Sequence, residues 1–288
     1  ETELTRLTAQ RPHWAGLDCR QTRIMGILNV TPDSFSDGGR FVEIDRAVAH
    51  GRAMVEAGAD IIDVGSESTR PGAAELGAEP EIARGVPGGA ALKAAGCPRV
   101  SVDTRKAAVM QAALDAGADI VNDVSALSFD PRSLDTIAES TAPVVLMHAQ
   151  GTPQTMQAAP TYDDVLLDVY DALAARIAAC EAAGIPRDRL AVDPGIGFGK
   201  TVAHNLDLLR GLSLFHGLGC PLLIGVSRKS VVGALSGGAP VADRLPGSLA
   251  LMLAAVAQGA QILRVHDVAE SAAALAAQTG LWNGVKAP

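Results

Sequence analysis

The chain has 288 residues, 48% of them apolar and 19% charged, with a formal net charge of −8; this excludes global disorder and argues against a nucleic-acid binder, which presents a basic face. Its aromatic residues are two Trp, two Tyr and five Phe, too few for a base-stacking platform or an aromatic carbohydrate cleft. Cys19, Cys97, Cys180 and Cys220 contain no C-x-x-C pair, which argues against a zinc site or a disulfide framework, and no apolar run reaches the roughly 18 residues of a membrane span.

Residues 1–22 are polar and mixed in charge, unlike a signal peptide; they read as an N-terminal extension covering the bottom of the main domain, in a protein expected to be cytoplasmic. Residues 23–288 alternate apolar runs with Ala-rich segments. The runs predict buried parallel strands around Ile24–Leu28, Ile61–Val64, Val100–Val102, Ile120–Val121, Val144–Met147, Leu190–Val192, Leu222–Val226 and Ile262–Val265. Helical propensity falls between them, as in Arg46–Ala57, Ala107–Ala116, Asp163–Ala183, Leu249–Gln258 and Ser271–Ala277. A helix-end phrase recurs at Gly58, Gly117 and Gly259, each followed by an apolar run; glycine just past a helix supplies the positive φ needed there. Eight strand–helix alternations predict an α/β fold of the TIM (β/α)₈ barrel type, with a doubly wound open sheet as the rival.

Polar side chains follow every predicted strand: Asn29; Asp63 with Glu67, Thr69 and Arg70; Asp103; Asn122; His148; Asp193; Ser227, Arg228 and Lys229; Arg264 and His266. In a parallel barrel those ends converge on one face, where the active site lies. Asp103, Asn122 and Asp193 suit the edge of a flat heterocycle bearing several N–H donors. Arg70, Lys229, Arg264 and His266 suit an anion such as phosphate, diphosphate or carboxylate. His148 reads equally well as an orienting residue or a packed histidine. Two glycine-rich segments imitate other sites. Gly195-Ile-Gly-Phe-Gly-Lys-Thr201 has one residue too few for a nucleotide-phosphate loop, and Gly225-Val-Ser-Arg-Lys229 places Lys where a nucleophile elbow needs Gly.

The same segments resemble the dihydropteroate synthase family of pterin-binding barrels. Met25-Gly-Ile-Leu-Asn-Val-Thr-Pro-Asp-Ser-Phe-Ser-Asp-Gly-Gly39 is similar to the family's first signature and Asp63-Val-Gly-Ser-Glu-Ser-Thr-Arg-Pro-Gly-Ala73 to its second. Val102-Asp-Thr104, Asn122-Asp123, Leu146-Met-His148 with Gln150-Gly151, Asp193-Pro-Gly-Ile-Gly-Phe-Gly-Lys200, Ser227-Arg-Lys-Ser230 and Arg264-Val-His-Asp-Val268 continue in family order. Ser66 stands where many members carry Gly, and Ala149 where Met is common. Residues Gly85–Pro98 match nothing in particular and read as outer helix and loop.

The resemblance implies condensation of (7,8-dihydropterin-6-yl)methyl diphosphate with 4-aminobenzoate to 7,8-dihydropteroate and diphosphate, a step of folate synthesis. It also implies Mg²⁺, a homodimer and sensitivity to sulfonamides. Residue by residue, it implies a pterin site of Asp103, Asn122, Met147, Asp193, Phe198, Gly225, Lys229 and Arg264, of which Asp103, Asp193, Lys229 and Arg264 assist the chemistry. Asn29, Thr69, Arg70, Arg264 and His266 would hold the diphosphate, and Asn29 would also place Mg²⁺. Phe35 and Pro71 would wall the aminobenzoate pocket as parts of two lid loops, and Ser227, expected to open a helix, would take its carboxylate. Within the fold the alternative is a methyltetrahydrofolate-binding methyltransferase, which should lack the Thr31-Pro-Asp-Ser-Phe35 and Ser227-Arg-Lys-Ser230 segments. A silent homologue should have lost one of Asn29, Asp103, Asp193, Lys229, Arg264 or His266, and all are present.

Overall fold

The structure, a computed structural model, describes residues 2–9, 13–30, 40–67, 75–152, 154–156 and 158–284. Helix α1 (Glu3–Thr8) and a short antiparallel hairpin, β1 (His13–Trp14) and β2 (Leu17–Asp18), precede the first long strand, β3 (Arg23–Asn29). Strand and helix then alternate: α2 (Arg40–Glu56), β4 (Ile61–Gly65), α3 (Ala78–Ala94), β5 (Val100–Asp103), α4 (Ala107–Asp115), β6 (Ile120–Asp123), α5 (Ser133–Glu139) and β7 (Val144–Met147). The second half continues with α6 (Val165–Ala182), β8 (Leu190–Asp193), α7 (Val202–Arg210), β9 (Leu223–Ile224), α8 (Ser230–Leu235), α9 (Leu245–Ala257), β10 (Ile262–Val265) and α10 (Val268–Asn283).

All eight strands from β3 to β10 pair in parallel, in the order β8-β7-β6-β5-β4-β3-β10-β9. A bridge between Val192 on β8 and Leu222, just before β9, closes the ring, so the TIM barrel expected from the alternation is the fold and the open sheet is not. Strand β9 is shorter than the predicted Leu222–Val226: Pro221 precedes it, and its ladder to β10 covers only Leu223 and Ile224. Helix α2 starts at Arg40, earlier than the predicted Arg46.

The period-two alternation of a strand sorts the side chains into two sets. Ile24, Leu28, Ile62, Val64, Val100, Val102, Val121, Val144, Leu146, Leu190, Val192, Ile224, Leu263 and Val265 join the layer between barrel and helices. Met25, Ile61, Ile120, Val145, Ala191, Leu223 and Ile262 fill the barrel interior and are closed from below by Trp14 of the hairpin, itself 1% exposed. The Trp14 indole N–H donates to the Arg189 carbonyl at 3.0 Å, so the one polar atom of this plug is satisfied. Two residues beyond the apolar interior layer, on the same inward face, come Asp63, Asn122, Met147, Asp193 and Arg264. The layer that makes the barrel floor therefore dictates which side chains line its mouth.

The recurrent glycines end helices as expected. Gly58, Gly117 and Gly259 have φ of 108°, 96° and 93°. Each is followed by a backbone bond from the next residue back to the last helical turn, as in Ala59 N–H to Met54 O at 2.9 Å and Ala118 N–H to Ala113 O at 2.9 Å. Elsewhere Asp164 caps α6 through Leu166 and Leu167 N–H, and Thr201 forms a capping box with His204 on α7.

Candidate active site

At the mouth of the barrel one carboxylate joins three strands. Asp63 Oδ2, on β4, accepts Arg264 Nε of β10 at 2.6 Å and Asn122 Nδ2 of β6 at 3.1 Å. Arg264 Nη2 also donates to Asp103 Oδ2 at 2.7 Å. Burial pushes the Asp103 carboxyl up, against the pull of the Arg264 charge. The second oxygens, Asp63 Oδ1 and Asp103 Oδ1, are buried without a hydrogen-bond partner among the described residues. A buried carboxylate oxygen left open is costly unless something occupies it in the working state.

On the facing side Asp193 ends β8 directly beside Met147 of β7. Its Oδ1 accepts the Gly195 N–H at 2.7 Å, and burial raises its pKa while Lys229 opposes the rise. Lys229 Nζ donates to the Ile196 carbonyl and stands 4.7 Å from the centre of the Phe198 ring. Burial lowers the Lys229 amine to about 8, although Asp193 favours its charged form. Gly225 completes this wall. A Cβ there would lie 3.7 Å from Lys229 Nζ and 3.6 Å from Arg264 Cβ, in ordinary van der Waals contact with both residues.

Ser227 Oγ lies 3.0 Å from His266 Nδ1 and accepts the His266 backbone N–H at 3.2 Å. The helix expected at Ser227 begins only at Ser230, with Lys229 as its N-cap, because Arg228 takes a left-handed φ of 59°. Arg228 is held there by its N–H to Ser248 Oγ at 2.9 Å and an ion pair with Asp267. Ser227 and Lys229 are thus set on either side of a strained residue.

Asn29 ends β3, half-buried. Phe35, Thr69, Arg70 and Pro71 lie outside the described residues. The other expected site residues, Asn29, Asp103, Asn122, Met147, Asp193, Phe198, Gly225, Ser227, Lys229, Arg264 and His266, all fall at or just beyond the C-terminal ends of the strands.

Three groups carry no assigned role in the sequence. Asp63 is the hub at the mouth; its spacing of two from Ile61 marks it as inward-facing, but nothing in the sequence names its partners. Lys200 is 2% exposed and donates to the Phe198 carbonyl at 2.9 Å and contacts His148 Nδ1 at 3.0 Å. Burial lowers Lys200 to about 7, and burial with the Lys200 charge lowers His148 to about 3, so His148 is a neutral packed acceptor. Lys200 therefore braces the glycine-rich loop from within. That loop is tight: a Cβ on Gly195, at φ 71°, would come within 1.9 Å of the His148 carbonyl oxygen. The third group lies behind the root of the loop after β4, where Lys106 Nζ bonds Glu67 Oε2 at 2.7 Å and Glu81 Oε2 at 2.8 Å.

A parallel barrel whose mouth joins open carboxylate oxygens to a guanidinium, a buried amine and a Ser–His pair is suited to a heterocyclic ligand that carries N–H donors and an anionic group. The family described as pterin binding enzyme matches residues 25–266, and the chain belongs to it. Within that family it groups with the dihydropteroate synthases. The dihydropteroate synthase of Escherichia coli K12 is 50% identical over 259 residues, covering 90% of this chain and 91% of the relative. The Xanthomonas albilineans dihydropteroate synthase solved with 4-aminobenzoic acid superposes with a TM-score of 0.87 at 47% identity, covering 94% of this chain and 96% of that one. The same organism's enzyme in complex with 7,8-dihydropteroate gives 0.84 at 44% identity, with 94% and 97% covered. These relatives do not favour the methyltransferase alternative.

Proposed function

We propose that the chain condenses (7,8-dihydropterin-6-yl)methyl diphosphate with 4-aminobenzoate, releasing diphosphate and forming 7,8-dihydropteroate. The observation that carries this reading is the pairing of Arg264 with Asp63 and Asp103 at a mouth where Asp103 Oδ1 is left open. Asp103, Asn122 and Asp193 accept from the pterin's N–H edge, and Lys229 donates to its carbonyl and ring nitrogen. Arg264 offers a planar cation that stacks on a heterocycle and reaches an anion, a role no phenyl ring could fill. Met147 and Phe198 form the apolar walls.

Chemistry begins with heterolysis of the carbon–oxygen bond, the electron pair leaving with diphosphate. Arg264 and His266, with Asn29, Thr69 and Arg70, stabilise the leaving group, while Asp103 and Asp193 stabilise positive charge spread over the pterin ring. The amine of 4-aminobenzoate, its carboxylate held by Ser227 and its pocket assigned to Phe35 and Pro71 by the family resemblance, attacks the methylene carbon and then loses a proton to solvent. No protein nucleophile is needed.

Mg²⁺ belongs to the same proposal. Among the described residues no three His, Cys, Asp or Glu side chains group as a metal site. Asn29 Oδ1 lies 3.8 Å from where a Cβ on Gly65 would stand, beside Asp103, whose Cβ and Oδ2 are each 3.7 Å from that point while Oδ2 accepts from Arg264. This fits an ion that takes few protein ligands and keeps its waters, with Asn29 as the protein donor. When bound, Mg²⁺ would offset negative charge on the diphosphate.

A homodimer and a cytoplasmic setting complete the proposal. Exposed Leu235, Val241, Leu281 and Trp282 offer apolar surface for a second copy to cover, and no helix of the described residues is long and apolar enough to cross a membrane. The test is formation of 7,8-dihydropteroate from the two substrates with Mg²⁺, resolved by chromatography. Product that needs both substrates, inhibited by a sulfonamide in competition with 4-aminobenzoate, supports the reading; no product overturns it.

A further inference from the structure

We propose that Asp63 is a positioning residue of the pterin site, a single carboxylate that sets Arg264 and Asn122 in place before substrate arrives. The inference rests on the synthase reading and deepens it. Strand β4 lies two strands from β6 on one side and two from β10 on the other, so Asp63 reaches across the barrel mouth in both directions. Its Oδ2 takes Arg264 Nε at 2.6 Å and Asn122 Nδ2 at 3.1 Å.

Arg264 needs such a tether. Its side chain has many rotamers, keeps 21% exposure, and can lie flat over a heterocycle only if its plane is set at two points. Asp103 supplies one point through Oδ2, and in the proposed reaction its carboxylate also serves the substrate through Oδ1. Asp63 is 0% exposed and its bonds run to protein donors on both sides, which makes it the tether that persists. Stability alone does not account for it. A buried ion pair is generally no better for folding than an apolar pair of similar volume, and Asp63 carries in addition an oxygen without a partner. Below it the same strand face is filled by Ile61.

The arrangement also ties two kinds of contact together. Asn122 presents its amide to the pterin edge, and the hydrogen bond from Nδ2 to Asp63 decides which way that amide faces. Its Oδ1 is thereby left to accept from the ligand. One carboxylate thus selects both the plane of the cation and the polarity of the amide.

The experiment compares the full-length wild type with D63N, which keeps the shape and loses the charge. KM and kcat are measured for both substrates, together with the 15N-detected Nε–H resonance of Arg264. We expect kcat/KM for the pterin diphosphate to fall at least tenfold, KM for 4-aminobenzoate to stay within twofold, and the Arg264 resonance to move upfield as its bond to a charged acceptor is lost. In an R264K background, which has no Nε to tether, D63N should cost less than threefold. If D63N does not fold, D63E, which keeps the charge but displaces it by a methylene, should show the same selective loss. Wild-type kinetics in either variant, or an undiminished tenfold effect in R264K, overturns the proposal. A wild type that makes no dihydropteroate overturns the synthase reading and this inference with it; an active wild type with unaltered variants overturns the inference alone.

Discussion

Ser227 and His266 share a hydrogen bond, Oγ to Nδ1 at 3.0 Å, across the junction of β9 and β10. The two residues belong to different halves of the proposed reaction, Ser227 to the aminobenzoate carboxylate and His266 to the diphosphate. The Ser227 oxygen already accepts the His266 backbone N–H. If the Ser227 hydroxyl proton is to serve the aminobenzoate carboxylate, Oγ must accept from the ring, which places a proton on Nδ1. In the proposed reaction, the residues that hold nucleophile and leaving group are thereby coupled.

Ser227→Ala should raise KM for 4-aminobenzoate about tenfold, the usual cost of a hydrogen bond to a charged group. Because the two side chains touch, the effects of Ser227→Ala and His266→Ala on kcat/KM should fail to add by roughly 1 kcal/mol. Steady-state kinetics of the two single variants and the double variant measure that coupling; strict additivity would show the pair to be independent.

Activity should fall in alkaline solution. Burial lowers Lys229 to about 8, so its amine is charged below that pH and neutral above it. The plateau of kcat/KM for the pterin diphosphate should therefore decline as pH rises through about 8, and Lys229→Met should lower the plateau and abolish that inflection. A wild-type profile flat to well beyond pH 9 would contradict the role.

Lys106 sits between two carboxylates in the interior, and its removal strips Glu81 of its cation while Glu67 keeps the Leu76 N–H and a longer contact with Arg105 Nε at 3.6 Å. Lys106→Met should destabilise the fold by about 3–5 kcal/mol, and adding Glu81→Gln should recover part of the loss. Urea denaturation of the two variants provides the comparison.

Trp14 lies at the opposite end of the barrel from the site. Trp14→Ala should cost about 3–5 kcal/mol through the cavity it opens, yet leave both KM values within about twofold. Denaturation and kinetics of one preparation separate the two effects; a changed KM would mean that the floor communicates with the mouth.

Strands β7 and β10 begin and end where the sequence places them, because runs buried on both faces stop abruptly at polar residues. Other boundaries answer to partners far along the chain. Strand β9 is cut to Leu223–Ile224 by the extent of its ladder with β10, and α8 waits until Ser230 because Arg228 is bent by Ser248 and Asp267. The mouth residues are legible one by one, through their position at strand ends and their resemblance to family signatures. What joins them is not: Asp63 meets Arg264 across 201 positions and Asn122 across 59, and only the closed ring brings them together. Lys106 and Glu81 escape sequence reading altogether, since a Glu on an outer helix reads as a solvent-facing residue until its burial is seen.

The central claim is that this mouth binds both substrates and couples them. The most direct test monitors diphosphate release from the pterin diphosphate in the presence of Mg²⁺ while 4-aminobenzoate is varied. The account predicts release that saturates with 4-aminobenzoate and matches 7,8-dihydropteroate formed, mole for mole. Steady release that proceeds equally without 4-aminobenzoate would contradict it.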